Sequence, residues 1–192
     1  MKPSDAVSWF QASPVPSLTL LESAGLDAAS CVIDVGGGDS RLVDSLLDRG
    51  VECVTVLDIS AAAIARAQER LAARASQVNW IVADVTAEWA PPTVDVWHDR
   101  AVFHFLVEQA DRDRYFVKLR QAVKSGGYAA IATFAPDGPA KCSGLPVVRY
   151  SSETLMQQLG RGFELERSFI EPHVTPMGTT QSFLFALFRR TR

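Results

Sequence analysis

Apolar and polar residues fall along this chain in blocks of two different periods. Short, nearly continuous apolar runs, rich in β-branched residues, stand at "CVIDV" (31–35), "CVTVLDI" (53–59), "VNWIVADV" (78–85), "VDVWHDRAV" (94–102) and "YAAIATFA" (128–135). Between them the spacing is helical. "SRLVDSLLDRG" (40–50) places Leu42, Val43, Leu46 and Leu47 on one face, and the alanine-rich stretch 60–75 opens on Ser60, a good N-cap residue. Residues 111–127 predict a helix that stops at a glycine. Strands this apolar are buried on both faces, which implies a parallel sheet covered by helices.

Past residue 135 the pattern changes. "FAPDGPAKCSGLPVVRY" (134–150) has proline, glycine and one thiol but no period, and it predicts a functional loop or lid. A short helix follows at 151–160, then strands at 163–174 and 180–190 with no room for a helix between them. Those two strands should pair antiparallel. The expected fold is α/β: a mostly parallel, seven-stranded sheet with helices on both faces and an antiparallel C-terminal pair. With no repeat and no linker, residues 1–192 read as one domain. Its parts are an N-terminal lid or edge segment (1–30), a cofactor-binding core (31–135), and an acceptor loop with the antiparallel strands (136–192).

Composition narrows this further. A chain of 192 residues, 47% hydrophobic and 21% charged, suits a globular domain with a substantial core. A net charge of −3 gives no global attraction to nucleic acid or anionic membrane, and the basic end "FRRTR" reads as a solvated tail. The start "MKPSDAVSWFQASPVPS" has no apolar signal core, and no run approaches the roughly 18 apolar residues of a membrane helix. Cys31, Cys53 and Cys142 are odd in number and widely spaced, so they read as reduced thiols of a cytoplasmic protein.

The chemistry is concentrated in "VIDVGGGDS" (32–40). A phosphate loop needs GxxxxGK[ST], and no lysine occurs between residues 34 and 50. A dinucleotide fingerprint starting at Gly36 would need glycine where Arg41 stands. The loop instead resembles the first motif of class I S-adenosylmethionine-dependent methyltransferases, approximately [DE]-x-G-x-G-x-[GS], here Asp34-Val35-Gly36-Gly37-Gly38-Asp39-Ser40. The resemblance implies a Rossmann-like fold, S-adenosyl-L-methionine as cofactor, and backbone of Gly36, Gly37 and Gly38 against its amino-acid part, with Asp34 and Ser40 shaping the turn. It further implies Asp58, with Ile59, at the ribose hydroxyls, and Asp84, with Val85, at the adenine. NAD enzymes share an acid like Asp58; they have no standing need for one like Asp84.

In this family the stretch after the fourth strand faces the transferred methyl. Here it holds His98, Asp99, Arg100, Phe103 and His104. Asp99 and His104 are the expected acid–base pair, since histidine titrates near neutrality; His98 carries less weight, as a strand residue facing a helix. Arg100, Phe103, Cys142, Arg149 and His173 are the expected acceptor-binding residues, with Lys141, Ser143 and Gln181 nearby in sequence. Trp9 and Phe10 would either close the pocket or cover the sheet edge. No metal is expected, because His98, His104, Cys142 and His173 lack local ligand spacing.

The sequence lacks the [DNS]PP[YFW] tetrapeptide of base N-methyltransferases, which argues against DNA as substrate. The expected function is methyl transfer to sulfur, nitrogen or oxygen of a small molecule. Protein lysine is the alternative acceptor, although the "DKGT" of lysine-modifying relatives is "HDRA" here. From other classes, an NAD-dependent oxidoreductase shares Gly36, Gly38 and Asp58, and a non-catalytic cofactor-binding module remains open.

Overall fold

The computed structural model describes residues 14–175 and 178–192. Five strands run parallel: β1 (Cys31–Val35), β2 (Cys53–Asp58), β3 (Val78–Val82), β4 (Val94–Arg100) and β5 (Val123–Phe134). Strand β9 (Thr180–Arg190) pairs antiparallel with β5, and β8 (Phe163–Val174) antiparallel with β9. The order across the sheet is β3-β2-β1-β4-β5-β9-β8. This is the mostly parallel, seven-stranded sheet the apolar runs predict, with the Rossmann-like order the resemblance implies. Strand order reverses between β1 and β4, and a ligand crevice opens at such a switch point.

Alternation along each strand builds two cores. On one face, Val32, Val54, Val56 and Val96 pack under Leu18 and Leu21 of α1 (Val15–Ser23), Leu42 and Leu46 of α2 (Leu42–Asp48), and Leu71 at the end of α3 (Ala61–Leu71). On the other, Ile33, Leu57, Trp97 and Ile131 pack under Tyr115, Phe116 and Leu119 of α4 (Gln109–Ala122) and Leu155 and Leu159 of α5 (Ser152–Leu159). Each such buried side chain contributes roughly 2 kcal/mol from the area it removes from water.

Four local expectations need correction. The helix expected to run to the 126–127 glycines ends at Ala122, and Val123 turns directly into β5. The glycines lie in a bulge of that strand, where the register with β4 passes from Val94↔Val123 to Val96↔Tyr128 and Gly126 takes φ +80°. The helix expected to run to residue 75 is α-helical to Leu71 and continues as a 3₁₀ turn over Ala72–Gln77. Strands β3 and β4 end two or three residues earlier than expected, at Val82 and Arg100, leaving Asp84 and Val102 to turns. Helix α1 is unanticipated.

The 134–150 segment is not irregular throughout. It carries a small hairpin, β6 (Lys141–Cys142) and β7 (Leu145–Pro146). Ser143 at φ +51° and Gly144 at φ +84° close it with both turn residues in the left-handed region, as a two-residue I′ turn demands. Among the described residues, no helix is long and apolar enough to cross a membrane.

Candidate active site

A cavity of about 590 Å³ opens at the carboxyl ends of the central parallel strands. Its floor is the turn after β1, and the three glycines there are each forced by a neighbour. Gly36 takes φ +70°, and a methyl on it would overlap Val102 Cγ2. A methyl on Gly37 would strike the Asp34 carboxylate, and one on Gly38 would sit 2.7 Å from Ala63 Cβ and 2.8 Å from Asp58 Oδ2. A side chain at any of these positions would collide with a neighbour, and at Gly36 bare backbone faces the cavity.

The loop is fastened from two directions. Asp58, at the end of β2, accepts from Gly38 N at 3.0 Å and from Ser60 N at 2.8 Å. Burial pushes its carboxyl above the usual range, against the pull of those two amides. From the side, Arg66 of α3 forks onto both oxygens of Asp39, and Arg70 donates to Ser40 O and to Asp44 Oδ2, each at 2.8 Å. Arg74 completes the row on Asp48. This ladder escaped sequence reasoning, though its signal is visible: arginines every four residues at 66, 70 and 74, through α3 and the 3₁₀ turn after it, and aspartates at 39, 44 and 48.

Asp34, Gly36, Ser40, Asp58, Ile59, Asp84 and Val85 all line the cavity, so seven of the nine residues expected at the cofactor do so. Gly37 and Gly38 stand behind them. Asp84 holds its turn through Oδ1, which accepts from Thr86 N and Thr86 Oγ1, each at 2.7 Å. Its second oxygen takes no part in that turn.

Of the expected acceptor residues, the structure brings Arg100 and Cys142 to the cavity, beside Ala101, Val102, Leu106, Val107 and Leu145. Burial lowers the Arg100 guanidinium to about 10, and the Asp34 carboxylate acts in the opposite sense. Phe103 is instead a core ring, packed on Tyr115, Phe116 and Tyr150. Arg149 donates to Gly138 O at 3.3 Å within its own loop, and His173 lies edge-on to Phe183, opposite Gln181 in the β8–β9 pair. None of these three lines the cavity. Trp9 and Phe10 lie outside the described residues.

Asp99 and His104 are also placed elsewhere. Asp99 is fully enclosed on the α4 side of the sheet, accepting from Tyr115 Oη at 2.7 Å, Val102 N at 3.0 Å and Phe103 N at 3.1 Å. Burial raises its carboxyl to about 6, and the three donors work against that rise. Tyr115 Oη in turn accepts from Trp97 Nε1 at 2.8 Å, and burial raises its phenol well above the usual value. Since Asp99 and Arg100 are successive strand residues, they project to opposite faces and do not pair.

His104 is equally enclosed, 4.6 Å from the Phe105 ring and 4.8 Å from the Phe134 ring. Its Nδ1 accepts weakly from Phe134 N at 3.4 Å, and its Nε2 has no partner among the described residues. Burial lowers it to about 4, so it is neutral at physiological pH. The histidine in the cavity is His98, whose Nδ1 meets Asp34 Oδ1 at 2.7 Å and whose Nε2 meets Ser17 Oγ at 2.9 Å.

The donor set can be tested against the cofactor that the glycine loop implies. Three carboxylates, Asp34, Asp58 and Asp84, line the cavity, and Asp34 Oδ2 is buried without a partner among the described residues. An unpaired buried carboxylate oxygen calls for a cation or a donor. A pyrophosphate would meet repulsion here, whereas a ligand with an ammonium, a sulfonium and vicinal hydroxyls matches the acids. The residues fit S-adenosylmethionine.

Comparison with known proteins agrees with this geometry. The model of a family described as "Methyltransferase domain" matches residues 32–127. Proteins of Mycobacterium tuberculosis and Mycobacterium bovis, named as uncharacterized methyltransferases, are 35% identical over 105 residues, covering 54% of this chain and 50% of theirs. The chain thus spans about half the length of these curated relatives. The 1,6-didemethyltoxoflavin-N1-methyltransferase of Burkholderia thailandensis, solved with 1,6-didemethyltoxoflavin and S-adenosylhomocysteine, superposes with a TM-score of 0.74 at 20% identity, covering 93% of this chain and 78% of that one. The N-methyltransferase NodS of Bradyrhizobium japonicum, solved with S-adenosylhomocysteine, gives 0.72 at 19% identity, covering 93% and 85%. From residues 32 to 127, and by the sheet that frames them, the chain belongs to the methyltransferase-domain family and has the class I S-adenosylmethionine-dependent fold.

Proposed function

We propose that this protein transfers a methyl group from S-adenosylmethionine to a small-molecule acceptor bound in the same cavity. The observation that carries this reading is the set of acids at three successive strand ends, Asp34, Asp58 and Asp84, around a bare glycine cradle that opens onto an apolar wall. In this assignment the Gly36–Gly38 backbone and Asp34 hold the amino-acid end. Asp58 takes the ribose hydroxyls, its carboxylate having lone pairs beyond those used by Gly38 and Ser60. Asp84 and Val85 take the adenine, with Ile59 against its face.

When bound, the cofactor supplies an electrophilic methyl on a sulfonium that is already a good leaving group. The protein's part is to align the acceptor and exclude water. Val102, Leu106, Val107, Leu145 and Pro146 make the acceptor wall apolar, and Arg100 and Cys142 give it two polar handles. Such a wall suits a compact molecule that presents an apolar face to it. Asp99 and His104 support this wall from behind, holding the 102–103 turn and the Phe134 strand end.

Calorimetric titration with S-adenosylmethionine, S-adenosylhomocysteine and NAD tests the reading. Binding of the first two and not the third is expected, and Asp58→Ala should abolish it in a protein that stays folded by circular dichroism, with a lowered thermal midpoint from the two amides left unpaired. Tight NAD binding with none of the other two would overturn the proposal. A screen of thiol, amine and hydroxyl acceptors against labelled methyl donor then identifies the acceptor atom.

A further inference from the structure

Ser17, His98 and Asp34 form a continuous buried relay, at 1%, 3% and 2% exposure. It joins three separate elements: Ser17 in the first turn of α1, His98 in β4, and Asp34 in β1 immediately before the glycine loop. The bonds of 2.9 and 2.7 Å use both imidazole nitrogens, so the ring is held at each end. In the neutral ring, Nδ1–H donates to the carboxylate and Nε2 accepts the Ser17 hydroxyl proton. One oxygen of Asp34 is thereby fixed. The other, Oδ2, is left buried without a partner among the described residues, packed beneath Gly37.

This arrangement goes beyond a structural hydrogen bond because of where its slack would go. If the Ser17 hydroxyl is lost, Nε2 becomes a buried acceptor without a donor, and the ring gains from turning away. Turning it releases Asp34 Oδ1, and the carboxylate, which fills the space a Cβ on Gly37 would take, is then free to rotate beneath the loop it supports. We propose that Ser17 and His98 are positioning residues for the methyl-donor site. Through them the docking of α1 and the affinity for the cofactor are coupled, although Ser17 itself does not line the cavity. The inference rests on the proposed function, and its test separates the two.

The measurements are S-adenosylhomocysteine affinity by calorimetry, thermal midpoint of the free protein, and amide hydrogen exchange in α1. Ser17→Ala, which keeps a strong helix former, should weaken binding about tenfold, a coupling of ordinary size. His98→Asn retains a donor near the Nδ1 position but cannot reach Ser17, so it should weaken binding to the same extent. The double variant should bind no worse than either single one, and His98→Leu, which also frees Asp34, should bind worse than all three. By reciprocity, S-adenosylhomocysteine should slow exchange of α1 amides in the native protein and not in Ser17→Ala.

A merely structural contact would lower the midpoint and leave affinity and ligand-induced protection of α1 as they are; that result overturns the inference. So does multiplication of the two single effects in the double variant. Failure of the native protein to bind S-adenosylhomocysteine would overturn the proposed function and this coupling together. Native binding with an unaltered Ser17→Ala overturns the coupling alone.

Discussion

Acidification offers a sharp test of the interior, because two buried groups pull stability in opposite directions. His104 falls from 6.5 in the unfolded chain to about 4 in the folded protein. The stability tied to its neutral form is complete above pH 6.5 and is lost as pH falls towards 4. Linkage over that shift gives a loss of about 2–3 kcal/mol between pH 7 and pH 4.5. Asp99 moves the other way, from 3.8 up to about 6. Its contribution is present below pH 3.8 and is lost as pH rises through 6, so the same acidification returns roughly 2 kcal/mol. In the native protein the two nearly cancel. His104→Leu removes one side of the balance: urea unfolding followed by circular dichroism should show the variant gaining about 2–3 kcal/mol relative to native protein on going from pH 7 to 4.5. Any constant cost of the substitution drops out of that difference. Parallel pH profiles for variant and native protein would refute the burial argument for His104.

Two further outcomes follow from the packing. Tyr115→Phe removes a donor from Asp99 and an acceptor from Trp97 in one change, and should cost about 2–3 kcal/mol by urea unfolding at pH 7; a loss below about 0.5 kcal/mol would mean that the enclosed network is wrongly described. Gly36→Ala meets both the positive φ and Val102, and should weaken S-adenosylhomocysteine binding at least tenfold, with partial recovery in Gly36→Ala/Val102→Ala; full affinity in the single variant would show that the loop tolerates a side chain there.

The sheet and the glycine-loop side of the cavity were largely legible because both rest on local signals. Apolar period marks strands, and glycines beside strand-end acids mark the loop that follows them. The opposite wall was less so. Adjacent strand residues face opposite ways, so of His98 and Asp99 only one can look into the cavity, and β4 is buried on both faces. Its pattern therefore does not say which. Asp99 turned out to face Tyr115, sixteen residues further along the chain and unrelated by any local spacing. Helix α1 was hidden by prolines at 14 and 16, which read as loop, although proline is at home in a first helical turn. The glycine stop expected for α4 became a strand bulge because Val123, a β-branched residue, already pairs with Val94.

The arginine ladder has a consequence for how such a protein can diversify. Arg66 and Arg70 hold the donor loop from α3, whereas Leu106, Val107, Leu145 and Pro146 hang on the 101–107 turn and the β6–β7 hairpin. The two halves of the cavity are mounted on different supports. Under the proposed assignment, exchanging the outer residues would retune which molecule is accepted and leave the glycine loop with its arginine supports intact. Val102 marks the limit of that freedom: pressed against Gly36, it belongs to both halves, and a change there must be answered on the other side.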